Sequence, residues 1–419
     1  MKNDRGRDCQ GCRWFLVGLP GLAAVVLVTA AAAAGGALDT SFGNGGKVTT
    51  DFGGTDDYAY AVAIEQPGKI VVGGSSGPGG RLARYIKDGS LDTTFGSGGS
   101  VTTALGVTAL AIQDNGKIVA AGGGLARYND DGSLDTSFGS GGTVSLSGVS
   151  FSAVEIQDNG KIVAAAHNAI TRFNRDGSLD TSFGSGGSVS GTPGEALAID
   201  PSGKIVVAGT AVVSHDWGFG IGFALARYNT DGSLDTSFGS GGSDVTDFPP
   251  YTDFPYRGSA FATAVAIQND RKIVVVGGIL VPITYRAFAI ARYNPDGSLD
   301  TSFGAGGAFI TDVPDRSTAE AVAIQNDGKI VAIGNAESVP GGFEHDLALV
   351  RYDRDGSLDA GFDSDGRVYT DFGMSGSRAD DFGNAVAIKM DGTILAAGST
   401  RPRVSGSDSD FAVAAYEGR

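Results

Sequence analysis

Asp176-Gly177-Ser178-Leu179-Asp180-Thr181-Ser182-Phe183-Gly184 decides how this 419-residue chain is read, because near-copies of the stretch recur along its length. The LDxxF core starts at Leu38, Leu91, Leu134, Leu179, Leu234, Leu299 and Leu358, giving seven units whose starts lie 43 to 65 residues apart. A period of that size marks a propeller, a solenoid or an array, not a string of unrelated domains. The 68 glycines show no three-residue period, so they supply turns between many short strands.

One unit, from Glu195 to Thr246, shows the internal plan. Glu195-Ala196-Leu197-Ala198-Ile199 alternates, Pro201-Ser202-Gly203 turns the chain, and Lys204 to Gly209 is a β-branched run. Phe223 to Asn229 forms a third strand, the LDxxF turn follows, and Gly242 to Thr246 starts a fourth. Four antiparallel strands (a to d) repeated seven times predict an all-β, seven-bladed propeller spanning residues 38–419. With strand a innermost, the chain opens on an orphan d strand at Gly46 to Asp51 and ends with only a, b and c. The first strand is therefore expected to complete the last blade and leave no exposed sheet edge.

These phrases resemble those of the delta-60 repeat family, a bacterial β-propeller repeat of unassigned function. The residues carrying the likeness include Leu299-Asp300-Thr301-Ser302-Phe303-Gly304, Ala321 to Gln325 with Gly328-Lys329-Ile330, and Ala291-Arg292-Tyr293-Asn294. The resemblance covers essentially residues 38–416, implies export or surface display, and brings no catalytic residues. Departures are Arg271 for the turn glycine, Thr393 for lysine, Asp363 for glycine and Ala415 for arginine.

A residue present once per blade serves the blade, whereas a ligand site in a ring of like units needs residues that break the repeat. Arg84, Arg127, Arg172, Arg227, Arg292 and Arg351 recur on strand c, and Asp92, Asp135, Asp180, Asp235, Asp300 and Asp359 follow in the next turn. A guanidinium-to-carboxylate clamp accounts for the pairing. Asp39 faces Ala415 instead. The run Asn174-x-Asp176-Gly177-Ser178-x-Asp180 spaces oxygens as a calcium loop does, but its glycine comes early and the bidentate glutamate is missing. Tight-turn chemistry needs the same residues. No cofactor is expected, with calcium the one alternative.

Loop lengths separate two rims. The step from strand a to strand b is always five residues, and from the strand c aromatic to the next LDxxF leucine it is always six. All variation falls in the b-to-c and d-to-a connections, which emerge on the opposite rim of an up-and-down blade. Long loops at 211–221, 248–259, 279–285, 335–344, 372–381 and 399–409 belong to blades four to seven. Their unrepeated residues are the candidate ligand-binding set: His215, Asp216 and Trp217; Tyr251, Asp253, Tyr256 and Arg257, with Phe254 beside them; Glu344, His345 and Asp346. Aromatic rings beside carboxylates suit a carbohydrate or peptide at the cell surface, and equally suit a cluster pinning the loops together. The reading is a monomeric binding or display module. The competing class is a metal-assisted hydrolase or oxidoreductase using His215, Asp216, His345 and Asp346 on the same rim.

Residues 1–37 differ in kind. Lys2, Arg5, Arg7 and Arg13 precede an apolar run from Trp14 to about Ala31, and Ala32-Ala33-Ala34 offers small residues for cleavage. This reads as a secretion signal of a bacterial extracellular or periplasmic protein, with an uncleaved membrane anchor as the alternative. Cys9 and Cys12 lie before the apolar run and would leave with it. Without residues 1–37 the chain keeps 27 basic and 45 acidic residues, a net of −18. That balance disfavours nucleic acid and anionic membranes as partners.

Overall fold

The computed structural model describes residues 35–54, 56–215, 218–248, 259–281, 285–314, 316–337, 344–373, 379–403 and 407–419. The leader expected at 1–37 lies outside these apart from its last three residues. Gly35, Gly36 and Ala37 bond to Asp363 and Glu417 and so join the folded body.

β1 (Lys47–Thr50) is followed by six complete blades. Blade one holds β2 (Asp57–Glu65), β3 (Lys69–Ser76), β4 (Gly79–Tyr85) and β5 (Ser100–Thr103). Blade two holds β6 (Val107–Ile112), β7 (Ile118–Gly122), β8 (Leu125–Tyr128) and β9 (Thr143–Val144). Blade three holds β10 (Phe151–Ile156), β11 (Ile162–Ala166), β12 (Ala169–Phe173) and β13 (Ser188–Ser190). Blade four holds β14 (Gly194–Ile199), β15 (Ile205–His215), β16 (Gly218–Tyr228) and β17 (Ser243–Thr246). Blade five holds β18 (Ser259–Ile267), β19 (Ile273–Val281), β20 (Tyr285–Tyr293) and β21 (Ala308–Thr311). Blade six holds β22 (Thr318–Ile324), β23 (Ile330–Glu337), β24 (His345–Tyr352) and β25 (Arg367–Thr370). β26 (Ala379–Ile388), β27 (Ile394–Pro402) and β28 (Asp410–Tyr416) form blade seven, and β1 completes it by pairing antiparallel with β28. The expected closure is present, and the fold is an all-β, seven-bladed propeller.

Alternation explains why the blades stack. Ile273 and Val275 enter the core shared with blade four, while Val274 and Val276 enter the core shared with blade six. Each middle strand is thus apolar on both faces, the pattern of a strand buried between two sheets. Seven such cores exist, one per junction. The last joins Leu395, Ala397, Val413 and Ala415 of blade seven to Ile70, Val72, Ala83 and Tyr85 of blade one.

The seven first strands pack against one another in a closed inner ring, β2 to β6 and on to β26 and back to β2. Each carries a bulge at the same place, opposite the second strand of its blade. The bulged residue turns its side chain toward the next blade. Thr108 Oγ1 donates to the Phe151 carbonyl (2.6 Å), Thr263 Oγ1 to Ala319 (2.7 Å), Ser152 Oγ to Gly194 (3.1 Å) and Asn384 Nδ2 to Ala59 (2.7 Å). Tyr60, Glu195 and Glu320 occupy this position in the other three blades.

In three of the long connections the described residues continue the strands as paired ladder. β15 and β16 pair through His215↔Gly218, β19 and β20 through Val281↔Tyr285, and β23 and β24 through Glu337↔His345. The physical reason is that an insertion between two strands already paired can continue their ladder and satisfy its own backbone groups.

Candidate functional site

On the rim of constant turns, the repeated residues form one device six times over. In each of blades one to six the strand c arginine Nε donates to Oδ2 of the turn aspartate at 2.6 to 2.9 Å. A lysine opening strand b reaches the same carboxylate at 2.6 to 3.2 Å. The guanidinium lies over the LDxxF phenylalanine, 4.2 to 4.6 Å from its centroid. Its free end donates to a carbonyl of the following blade, for example Arg127 to Arg175 and Arg172 to Thr230. Burial alone would raise the Asp180 carboxyl, but bonds from Lys161, Ser182 and Arg172 outweigh it and hold the group below the usual carboxylate range. The clamp therefore joins turn to strand and blade to blade.

The DGS turn is built around its own aspartate. Asp176 Oδ1 accepts from Ser178 N (2.9 Å) and Ser178 Oγ (2.7 Å), and Gly177 stands at φ 86°. A Cβ there would come within 2.8 Å of the Phe138 ring and 2.9 Å of Gly139 N, so only glycine fits. These bonds engage Asp176 Oδ1, one of the oxygens that a calcium loop would use. Arg271 and Asp363, two of the departures, take left-handed φ values of 67° and 46°. At the seam, Asp39 bonds Ser41 and the Ala415 carbonyl, and Lys389 lies 5.7 Å from the Phe42 centroid where other blades place arginine.

The opposite rim carries the paired hairpins. β15 and β16, at 11 residues each, are the longest strands among the described residues, with Phe219 80% exposed and Val212 66% exposed, and with Ile221 exposed as well. Of the sequence candidates, Asp216, Trp217, Tyr251, Asp253, Tyr256 and Arg257 lie outside the described residues, as does Phe254; His215 ends β15. His345 and Asp346 open β24 and Glu344 precedes it, all three partly buried. The His345 ring stacks on Phe382 of β26 (5.5 Å, 27°). Burial lowers its pKa, Arg316 and Arg403 press the same way, and Asp380 and Glu337 oppose them. Asp346 instead meets Asp371 and Asp381. Among the described residues, the groups spaced to hold a metal consist of aspartates and include no histidine.

Two features escaped sequence reasoning, which applied its repeat-breaking rule only to loops. Glu155 stands on β10 where the other inner strands have Ala63, Ala111, Ala198, Ala266, Ala323 and Ala387. Water reaches it, yet the crowded inner ring solvates its charge poorly and raises the carboxyl to about 7. Glu320, at the bulge of β22, is raised by burial to about 7 against the pull of Arg286. The signal was available as one carboxylate in a column of alanines.

Comparison with known proteins bears on the fold. Residues 68–95, 113–138, 157–183, 201–238, 268–303 and 325–362 match the family model described as domain of unknown function (DUF5122) beta-propeller. No curated protein matches the sequence. Solved structures of similar fold include virginiamycin B lyase from Staphylococcus aureus, at 13% identity over 88% of this chain and 98% of that one, with a TM-score of 0.43. A gluconolactonase from Xanthomonas campestris shares 11% identity over 86% and 87% of the two chains, TM-score 0.39. PorZ, a bacterial surface component of the type-IX secretion system of Porphyromonas gingivalis, shares 11% over 85% and 46%, TM-score 0.40. Six blades carry a segment that matches this model and the seventh is built to the same plan, so the chain is a seven-bladed β-propeller of like repeats.

Proposed function

We propose that the protein is an exported binding or display module whose partner, a peptide or glycan at the cell surface, docks on the hairpin rim of blades four to seven. The observation that carries this reading is the β15–β16 hairpin, a rigid ladder that holds Phe219 and Val212 out in water. Large apolar side chains so presented stabilise the fold little and supply area for a partner. Long connections on a rigid scaffold are where proteins place recognition, and the opposite rim has no variation to offer. Export follows from the leader. Cleavage after Ala34 would release a chain beginning at Gly35, which among the described residues is the first bonded to the propeller.

Peptide and glycan arrays probed with purified protein test the reading. Phe219→Ser, Val212→Ser, Trp217→Ala and Tyr256→Ala are expected to lose array binding, and the exposed Phe219→Ser and Val212→Ser variants to unfold within about 0.5 kcal/mol of the parent. Binding retained by all four variants would move the partner surface elsewhere. N-terminal sequencing of the exported protein checks the cleavage point.

A further inference from the structure

Two adjacent junctions of the ring carry the same constellation, and it is not part of the repeat. Between blades seven and one, Asp51 follows β1, Asp57 opens β2 and Asp410 opens β28. Between blades six and seven, Asp371 follows β25, Asp381 lies on β26 and Asp346 on β24. The register makes the sets equivalent: Thr50 pairs with Phe411 as Thr370 pairs with Leu347, and Asp57 and Asp381 each stand three residues before the bulged residue. Blades four and five keep Asp247 and Asp312 at the first position. At the others they have Gly222 with Ala260 and Ala287 with Ser317.

In each set the three carboxylates offer oxygens within 4.8 Å of one another. Asp57 and Asp381 are completely buried. Each spends Oδ2 on one backbone N–H, from Phe52 (2.9 Å) and Phe372 (2.7 Å), and each keeps a buried Oδ1 with no hydrogen-bond partner. The Thr400 hydroxyl stands beside the Asp381 carboxylate but leaves Oδ1 unpartnered. A buried, half-satisfied carboxylate facing two others is costly unless positive charge enters between them.

No side-chain ion pair among the described residues brings that charge to Asp57 or Asp381, while Asp346 of the second triad has an interaction of its own. The Arg81 guanidinium lies 4.8 Å from the Phe52 centroid and donates to Thr102, while Lys47 donates to the Asp371 carbonyl at 2.7 Å, not to a carboxylate. Among the described residues no ion pair reaches Asp51, Asp57, Asp371, Asp381 or Asp410. The cost shows in ionisation. Burial and the neighbouring carboxylates raise Asp381 to about 7 and Asp410 to about 6.

The donor set is all oxygen and anionic, which selects a hard cation. Oxygens bound to calcium at about 2.3–2.6 Å stand no more than about 5 Å apart, the spacing found here. The exposed Asp51 leaves room for water to fill the remaining coordination. We propose that each triad holds one hard divalent cation of the calcium class, so that the chain takes up two, one on either side of blade seven. Each ion ties the end of a d strand and the start of a c strand to the first strand of the next blade. Blade seven is also the blade that lacks the arginine clamp, having Ala415 in its place.

The full-length exported chain, stripped with a chelator and titrated with calcium chloride in a calorimeter, tests the assignment. Two ions per chain are expected, with a rise in melting temperature. Asp57→Asn and Asp381→Asn should each retain one ion, and the double variant none. Asp410→Asn, at a partly exposed position, should lose the same ion as Asp57→Asn and guards against a folding defect at the buried one. Without calcium, Asp57→Asn should melt no lower than the parent, because the change removes repulsion. No uptake at about 1 mM calcium, a range typical of extracellular modules, would overturn the proposal. So would two ions in the double variant, or magnesium chloride filling the sites as tightly as calcium.

Discussion

The two rims of this ring treat charge in opposite ways. On the constant rim the LDxxF aspartate of each of blades one to six meets an arginine and a lysine, and the arginine also lies over a phenylalanine and bonds the following blade. On the hairpin rim, around blade seven, aspartates gather with buried oxygens left unpaired. Identical neighbours can satisfy one another by repetition, so a device that pairs its own charges can be copied around the ring. The buried Oδ1 atoms of Asp57 and Asp381, which break the repeat, have no such neighbour, and on the proposal above they take their counter-charge from a bound ion. Glu155 is the counter-case, a lone unrepeated carboxylate near the constant rim.

The comparison can be broken most forcefully at the closure. Deleting residues 38–52 removes β1 and the seam turn, exposes the β28 edge and opens the core joining blades seven and one. The expected result is loss of the cooperative melt, or a fall in melting temperature larger than any point variant causes; unchanged melting would show that the rims do not depend on ring closure. Next comes the clamp. Arg172→Ala leaves buried Asp180 with Lys161 and Ser182 only, and should cost about 3–5 kcal/mol in denaturant unfolding. A cost under about 1 kcal/mol would mean that the lysine alone suffices.

A smaller effect tests Glu155 through pH. Its folded carboxyl is raised to about 7, above the unfolded value near 4.5, so the folded state holds the proton more tightly. Its favourable contribution is therefore complete below the unfolded value and is lost as pH climbs through about 7. Glu155→Gln should flatten the fall in melting temperature across that window, and parallel profiles would place the titration elsewhere. The smallest effect is at Arg271, held at φ 67° where other turns have glycine. Arg271→Gly should gain up to about 1 kcal/mol by relieving the left-handed strain.

Much of this architecture could be read from the chain because repetition writes the same physics seven times. The constancy of the a-to-b and c-to-d steps located the rim of fixed turns, and the recurrence of Arg172 with Asp180 announced the clamp before any distance was known. The incomplete last unit announced that β1 belongs with β28. The hairpin rim was less legible. The 211–221 segment carries glycines and polar residues that suit a loop, and only pairing of β15 with β16 made it a ladder.

Sequence by itself thus determined the number of blades, their strand order, the closing strand and which residues serve every unit, because those follow from local pattern and count. Tertiary structure alone decided that Asp51, Asp57 and Asp410 meet, and that Asp371, Asp381 and Asp346 meet in the same way. In the first case Asp410 lies more than 350 positions from Asp51 and Asp57, and no local period links them. Their encounter depends on closing the ring, which sets the first strand of one blade against the last two of the blade before it.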